Sequence, residues 1–409
     1  MHSRQDFWKF FTGQTISVLG SSFSGFALPL LVFQLTHSPI SLAISTFTFA
    51  LPHLLFGLFI GAWVDRVDRK RLMIAVDILL AFVMLTIPAL ALTHLLNVYW
   101  VYAVQFAGSS LGLIFEQAEF TAIPSLVGQQ ALVTANGRIN ASYRASEVSG
   151  PAIAGAIVSF ITVPALMVID SVSYLVSAAT LWSVRASFNM DDRKSRPSTR
   201  ILADIGEGIR YVFTHPVLRN ISLLMMLFNL VDSTFNAQGV LYAKERLHVS
   251  NFELGLFFAA GSVGAIIFSL LAGWLRQRFS FSFVVIGCLS AMGLFTVVFS
   301  AIPWFWVALP VLLLRDGFGS LLNINTFSLR QAIVPNHMLG RVLSVAGLLA
   351  FSVMPLGSLA GGYLIERTHN VALVFAGVGV LLFVLPLIFA FTALGRADQY
   401  LPKPEPVSP

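Results

Sequence analysis

The 409-residue sequence contains little charge and almost no cysteine. Only 11% of its residues are charged, whereas 56% are hydrophobic and the mean hydropathy is +0.81. Soluble domains carry about 25% charged residues, so this composition excludes an ordinary soluble protein. The single cysteine, Cys288, excludes a disulfide within the chain. Segments of about ten alternating residues, which are typical of a membrane β-barrel, are absent as well. The sequence therefore indicates an integral membrane protein built from helices.

Motifs that carry chemistry are also missing. The sequence shows no His-rich ligand set, no Ser nucleophile motif and no Gly-Lys phosphate loop, which argues against an enzyme, a metal site and an ATP-driven pump. No filter motif of a channel is legible. The formal net charge of +6 is a topology signal rather than a nucleic-acid footprint, because the cations cluster in alternate loops. We expect no cofactor and no nucleic-acid partner, and a membrane-embedded enzyme stays the weaker alternative.

Twelve apolar runs are each long enough to cross a bilayer as a helix of about 20 residues. The first run is longer than the core of a signal peptide and lacks a cleavage pattern, so we interpret it as a retained helix. In chain order the predicted spans are 10–35, 41–64, 72–93, 98–123, 137–160, 164–184, 217–243, 252–275, 280–300, 304–329, 341–365 and 370–394.

The distribution of Lys and Arg predicts the orientation of these spans. Most of the 25 cations fall in alternate loops and in the two tails, and this bias marks the cytoplasmic side. Both termini are therefore predicted to be cytoplasmic. The longest polar interruption predicts two six-helix halves, 1–184 and 217–395, with a cytoplasmic linker at 185–216 and a tail at 396–409.

The second part of the linker has a helical pattern. Ile201, Ile205, Ile209 and Val212 recur at helical intervals, with charged residues between them. A helix at the membrane surface and a short helix facing the protein core both fit this pattern.

A basic hairpin between spans 2 and 3, GAWVDRVDRKRLM, starts at Gly61 and organises the first half. Its spacing, G-x-x-x-D-R-x-x-R-K, resembles the cytoplasmic hairpin between helices 2 and 3 of the major facilitator superfamily, although Asp68 stands where that pattern usually has Gly. Gly61 lets two helices approach closely, and Asp65 can accept hydrogen bonds from a neighbouring helix N-terminus. We predict a conformational gate that consists of hairpin residues and of a Gly-Arg pair at the entrance of span 11: Gly61, Asp65, Arg66, Arg69, Lys70, Gly340 and Arg341.

Span 5 carries a Gly-Pro cluster half-way along its length. Gly150, Pro151 and Gly155 resemble the helix 5 motif of exporters in the same superfamily. Pro151 removes a backbone donor and favours a kink, while the glycines admit a close neighbour.

Charged residues inside a membrane helix cost several kcal/mol unless they are paired or hydrated, so each is a candidate for function. At ~1.5 Å per residue, Asp232 in span 7 and the pair Arg315 and Asp316 in span 10 fall near mid-depth. Neighbours on one helix point about 100° apart, so we expect Arg315, rather than both residues, to face Asp232.

A second charged group lies toward the cytoplasm in spans 4 and 5. Spacings of three put Glu116 with Glu119 and Arg144 with Glu147 on single helix faces. A Glu-Arg-Glu network across the two spans would serve proton coupling, whereas static pairs or a cytoplasmic gate would serve structure.

Other polar residues of the spans are predicted to have structural roles or to bind substrate or protons. Asp77 is predicted to cap the cytoplasmic network, and Asp170 is predicted to lie near the outer end of span 6 within reach of water. His53 titrates near neutral pH or simply packs. The serines of span 1 bind substrate or allow close helix packing, since small polar residues do both.

Four stretches together are similar to the macrolide-efflux and enterobactin-exporter branch of the major facilitator superfamily: FFTGQTISVLGSS, VDRVDRKRLMIAVDILLA, the THP before span 7, and LGRVLSVAGLLAFSVMPLG. The resemblance implies an all-α membrane fold of twelve helices in two pseudo-symmetric halves, with spans 1, 4, 7 and 10 around a central cavity. Glu116, Asp232, Arg315 and Asp316 lie on those spans.

The resemblance further implies a monomeric exporter in a bacterial inner membrane. Its substrate would be a small amphipathic molecule, exchanged for protons by alternating access. Span 4 lacks the intramembrane Arg of many drug/proton antiporters, so proton coupling rests on the resemblance alone. A facilitator or importer of the same fold remains the alternative.

Overall fold

The computed structural model describes residues 2–64, 67–188 and 201–400. Asp65 and Arg66 of the predicted gate, part of the linker and the end of the tail lie outside these residues. Within them the chain forms thirteen α-helices: α1 His2–Thr36, α2 Pro39–Val64, α3 Arg69–Leu92, α4 Val98–Ile157, α5 Val163–Ser183, α6 Ile201–Thr214, α7 Pro216–Leu241, α8 Asn251–Arg278, α9 Phe281–Ala301, α10 Phe305–Ile333, α11 Asn336–Ser352, α12 Met354–Thr368 and α13 Val371–Ala390.

The long helix α4 folds back on itself. The hydroxyl of Tyr143 donates a hydrogen bond to Oε2 of Glu119, although the two residues are 24 positions apart. A straight helix would separate them by roughly 36 Å at ~1.5 Å per residue. The two ends of α4 are therefore antiparallel limbs, and they correspond to the predicted fourth and fifth spans.

The number of spans is compatible with the predicted twelve. In the described part of the chain, ten helices are long and apolar enough to cross a membrane, or eleven if α6 and α7, bent by 102°, count as one span. The second limb of α4 supplies the predicted fifth span. Helices α11 and α12 form one stretch that is interrupted at Val353, two residues before Pro355.

Local sequence explains where several helices begin. Asp68 accepts a hydrogen bond from the backbone N–H of Arg71 at 2.9 Å, so the residue that departs from the usual hairpin pattern caps α3. Ser250 and Glu253 form a capping box at the start of α8, with reciprocal hydrogen bonds of 2.8 and 3.2 Å.

The chain divides into two compact units. Unit 1 comprises Met1–Pro197 and Ala243–Ala259, and unit 2 comprises Ser198–Tyr242 and Ala260–Pro409. In unit 1, α1 packs against α4 and α5, and α3 packs against the same two helices. In unit 2, α9 packs against α10 and α13, while α7 packs against α12.

Helix α6 faces the protein core through part of its surface. Val212 is fully buried in a cluster with Leu218 and four residues of the segment from Val334 to Val345. Arg341 of α11 forms an ion pair with Glu207 of α6 at 2.5 Å. Of the two interpretations of this segment, packing against α11 is the one that the structure displays.

Asp398 ties the segment after α13 to the start of α9. It accepts hydrogen bonds from the backbone N–H groups of Phe281 at 2.9 Å and Ser282 at 3.2 Å. Partial burial raises the pKa of the Asp398 carboxyl, but these hydrogen bonds and the nearby Arg276 outweigh burial and hold the pKa below its ordinary value. The N-terminus of α9 is thereby fixed.

Helices α9 and α13 approach each other backbone to backbone. A Cβ added at Gly379 would lie 2.6 Å from the backbone nitrogen of Val297 and 2.8 Å from the carbonyl oxygen of Gly293. Backbone atoms cannot rotate aside as a flexible side chain does, so this contact requires glycine.

We predict that Gly379→Ala lowers the thermal unfolding temperature of the purified protein, because the new methyl group forces the two helices apart. Gly377→Ala on the same helix is the matched control, since a Cβ there meets nothing within 4 Å. Replacing an unconstrained helical glycine with alanine stabilises by roughly 0.5–1 kcal/mol, so this control should unfold at the same or a higher temperature. Equal behaviour of the two variants would contradict the close contact.

Candidate functional site

Unit 2 buries a charged triad between α7 and α10. Arg315 is 2% exposed, and its Nη2 contacts Oδ1 of Asp232 in a close ion pair. Its Nη1 donates to Oδ1 of Asp316 at 2.6 Å, and its Nε donates to the hydroxyl of Thr296 at 3.1 Å. The guanidinium carbon lies 3.5 Å from the ring centre of Phe235. All three guanidinium nitrogens of Arg315 therefore have a hydrogen-bond partner, and an aromatic ring covers one face of the group.

The surroundings of the triad are aromatic. Phe235 lies 5.5 Å from Phe299 and 4.7 Å from Phe375, measured between ring centres, and Tyr242 stacks on Phe375 at 4.9 Å. Such rings exclude water and lower the local dielectric constant, which strengthens the electrostatic interactions of the triad.

The two carboxylates of the triad differ in exposure. The side chain of Asp232 is 11% exposed and that of Asp316 is 30% exposed. Oδ2 of Asp232 accepts a hydrogen bond from Asn236 at 2.8 Å. Oδ2 of Asp316 lies beside Gly261, where an added Cβ would come within 2.1 Å of it. The expected pairing of Arg315 with Asp232 is present, and Asp316 is a second partner that the sequence did not predict.

In unit 1 the expected Glu-Arg-Glu network is not formed. Arg144 pairs with Glu147 at 2.7 Å, and both side chains are more than half exposed. Glu119 instead accepts its hydrogen bond from Tyr143. Successive residues point about 100° apart on a helix, so Tyr143 and Arg144 cannot both face Glu119, and the tyrosine takes that place.

Two adjoining cavities lie in unit 1. A polar cavity of about 230 Å³ is lined by residues of α1, α3, α4 and α5, including Asp77, Glu119 and Tyr143. A larger cavity of about 530 Å³ is lined by Phe49 and His53 among others. Four residues line both cavities: Ser21, Gly112, Glu116 and Tyr174.

Two buried aspartates differ from their sequence-based interpretation. Asp77 is 1% exposed and lines the polar cavity, rather than capping a cytoplasmic network. Asp170 is fully buried rather than reached by water, because the hydroxyl of Ser24 on α1 donates to its Oδ2 and that of Ser173 donates to its Oδ1 at 3.3 Å. The serines of α1 were the sequence signal for this contact.

The described part of the basic hairpin binds backbone carbonyl groups. Nη1 of Arg69 donates to the carbonyl oxygens of Thr121 at 3.2 Å and Phe188 at 3.3 Å, and Nζ of Lys70 donates to that of Val184. These bonds connect the start of α3 to α4 and to the end of α5. Gly340 has open space around it, with nothing within 4 Å of an added Cβ, so no close helix contact depends on it.

The Gly-Pro cluster lies in close contacts within unit 1. A Cβ at Gly150 would lie 1.8 Å from the hydroxyl of Ser22, and one at Gly155 would lie 2.6 Å from the carbonyl oxygen of Asn251. A Cβ at Gly255 would in turn lie 2.4 Å from the carbonyl oxygen of Pro151. The glycines thus admit close neighbours, as interpreted from the sequence.

Long apolar helices, buried charge inside the spans and internal cavities define a multi-pass membrane transporter. The family model described as "Transmembrane secretion effector" matches residues 2–405. The chain therefore belongs to this family of major facilitator transporters, as the sequence motifs predicted.

Several proteins of similar sequence are named as efflux proteins or exporters. Macrolide efflux protein A of Streptococcus pyogenes is 24% identical over 88% of this chain and 89% of its own. Enterobactin exporter EntS of Citrobacter koseri is 24% identical over 97% of this chain and 94% of its own. The predicted efflux branch is confirmed. The protein is a multi-pass bacterial membrane transporter of the efflux type.

A solved structure confirms the fold. The bacterial homologue of the human lysosomal transporter Spinster superimposes with a TM-score of 0.78 over 99% of both chains, at 14% sequence identity. At that identity the likeness concerns the fold alone.

We predict that the triad behaves as one coupled unit in stability measurements. Arg315→Gln strands two carboxylates in a buried environment and should cost about 3–5 kcal/mol. Asp232→Asn should cost less, because Arg315 keeps Asp316 as a partner. The double variant should lose less stability than the sum of the single variants. Thermal unfolding of the four proteins in detergent measures these differences, and strict additivity would contradict the coupling.

Proposed function

We propose that the protein is a secondary exporter that exchanges protons for a small amphipathic molecule by alternating access. The observation that supports this proposal best is the composition of the triad. One guanidinium, which stays protonated, faces two carboxylates, so the buried group carries one uncompensated negative charge when both are ionised. Binding of one proton, or of one cationic group of a substrate, makes the triad neutral.

This charge balance gives a physical route for coupling. When Asp232 is protonated, Arg315 retains Asp316 as its counter-ion, and when the proton leaves, Arg315 is again shared by both carboxylates. Burial makes each of these changes energetically significant. Asp232 is the first candidate for the proton carrier, and Glu116, which borders both cavities of unit 1, is the second.

Other charged residues have supporting roles in this proposal. Glu119 with Tyr143, and Arg144 with Glu147, form two static pairs at the cytoplasmic side. Gly150, Pro151 and Gly155 allow close helix contacts to change between states. The conformational gate consists of the hairpin residues and their counterparts on α11, namely Gly61, Asp65, Arg66, Arg69, Lys70, Gly340 and Arg341.

The substrate class is proposed from the relatives. Macrolides and the siderophore enterobactin are both amphipathic, and each appears in the name of a relative with similar sequence over most of the chain. The cavity of about 530 Å³ in unit 1 combines aromatic and polar walls, which suits such molecules. We further propose that the protein acts as a monomer in a bacterial inner membrane.

Proteoliposomes with an imposed pH gradient test the proposal. The wild-type protein should release protons in response to erythromycin, a catecholate siderophore or a lipophilic cation. Asp232→Asn should abolish this release while the protein stays folded, because Arg315 still pairs with Asp316. Glu253→Gln is the matched control, since glutamine can replace glutamate in a capping box.

Two outcomes would overturn parts of this proposal. Normal proton-coupled transport by Asp232→Asn would remove Asp232 from the mechanism. If no compound releases protons while a labelled substrate still crosses down its own gradient, the protein is a facilitator rather than an antiporter.

We also propose that both termini are cytoplasmic, because Lys and Arg are concentrated in the tails and in alternate loops. A green fluorescent protein fused after residue 409 should fluoresce in cells, and alkaline phosphatase at the same position should be inactive. Alkaline phosphatase fused after His37, in the first outward connection, should be active. The opposite pattern at either position would contradict this orientation.

A further inference from the structure

The polar cavity of unit 1 contains oxygen atoms that have no hydrogen-bond partner. Oε1 of Gln14, Oδ2 of Asp77 and Oε1 of Glu119 are all buried and unpaired, and their side chains are 1–5% exposed. The three residues belong to three helices, α1, α3 and α4, and all line the same volume of about 230 Å³. Burying an acceptor without a partner is energetically unfavourable, and more so if the acceptor is charged.

This cavity differs from the triad because no cationic side chain faces its carboxylates. No Lys, Arg or His is among the described residues that line it, whereas Glu116 adds a third carboxylate. Among those lining residues, the hydroxyl of Tyr143 donates a hydrogen bond to the other oxygen of Glu119. Asp77 and Glu119 thus lie in a common buried space without a compensating positive charge, an arrangement that is strongly unfavourable unless something neutralises it.

We propose that this cavity binds a hard cation through oxygen ligands, with Gln14, Asp77 and Glu119 as its protein ligands. Carboxylate and amide oxygens are the groups that Ca²⁺ and similar hard cations prefer. The cavity has room for one ion with bound water, since one water occupies about 30 Å³ of liquid volume.

One divalent cation satisfies this set of atoms in a single binding event, whereas protonation requires two. A proton on one carboxyl oxygen can be shared with only one further acceptor, so satisfying all three oxygens takes one proton on Asp77 and another on Glu119. A cation contacts all three together, and two carboxylates balance a divalent charge. The other titratable groups that border the cavity are Glu116 and Tyr143 on α4 and Tyr174 on α5, and α1 contributes none among its described lining residues.

The cation site can be tested separately from proton coupling at the triad, although Glu116, the second candidate for the proton carrier, also borders this cavity. It lies entirely in unit 1, whereas Asp232, Arg315 and Asp316 belong to unit 2. Equilibrium binding can be measured without transport, so failure of the cation site would leave the proton-coupling test unaffected, and the reverse also holds.

The test uses the purified full-length protein in nanodiscs. Its unfolding temperature is recorded against increasing CaCl₂, MgCl₂ or NaCl, with choline chloride added to keep the ionic strength constant. Equilibrium binding of radioactive Ca²⁺ gives the affinity directly. We expect a saturable rise in unfolding temperature with at least one metal cation, and a loss of affinity of at least about tenfold in Asp77→Asn and in Glu119→Gln.

Asp170→Asn is the matched control. Asp170 is also a buried carboxylate of unit 1, but both of its oxygens have serine partners, so cation binding should persist in this variant. If one of the ligand variants fails to fold, the titration of the wild-type protein still tests whether a cation binds.

Three results would overturn the inference. The first is the absence of any saturable effect of metal cations beyond that of choline. The second is a response to pH alone that is identical in all salts, which would indicate protonation of the carboxylates. The third is undiminished binding in both Asp77→Asn and Glu119→Gln, which would place the cation elsewhere.

Discussion

A charge inside a membrane-spanning helix must be neutralised where it lies, and this requirement governs the interior of unit 2. Arg315 meets it with two carboxylates, a hydroxyl and an aromatic ring. Those partners come from α7, α9 and α10, so the arrangement of three helices depends on one side chain. Phe235 covers Arg315 and packs against Phe299 and Phe375, and this apolar surrounding raises both the strength of the pairing and the cost of disturbing it.

In unit 1, buried charge is stabilised in a different way. Its buried carboxylates have hydroxyl groups near them rather than arginine: Asp170 is bonded by Ser24 and Ser173, and Glu119 is bonded by Tyr143. Hydroxyl groups donate hydrogen bonds but carry no charge, so they lower the cost of burial without removing it. The two units thus offer environments of different electrostatic character within one family fold.

The sequence predicted the features that depend on one segment at a time. The apolar runs and the depth of Asp232 and Arg315 follow from composition and helical rise. The sequence did not predict which neighbour each side chain meets. The pairing of Glu119 with Tyr143 rather than Arg144 depends on how α4 folds back, and the burial of Asp170 depends on the approach of α1. Helical periodicity gives the direction of a side chain on its own helix, but not the identity of the helix opposite.

The backbone contact between α9 and α13 bears on how fast the counter-ions of Arg315 can change. Gly293, at this contact, lies one helical turn before Thr296, the hydroxyl that holds Nε of Arg315. The guanidinium is therefore anchored to a rigid pair of helices, and an exchange of its counter-ions requires rotation of aspartate side chains rather than movement of a helix. Rotamer changes of accessible side chains take picoseconds to nanoseconds, whereas collective movements take microseconds to milliseconds. In the proposed cycle, the counter-ions of Arg315 therefore change while this pair of helices stays in place, and the slow movements are those of whole helices.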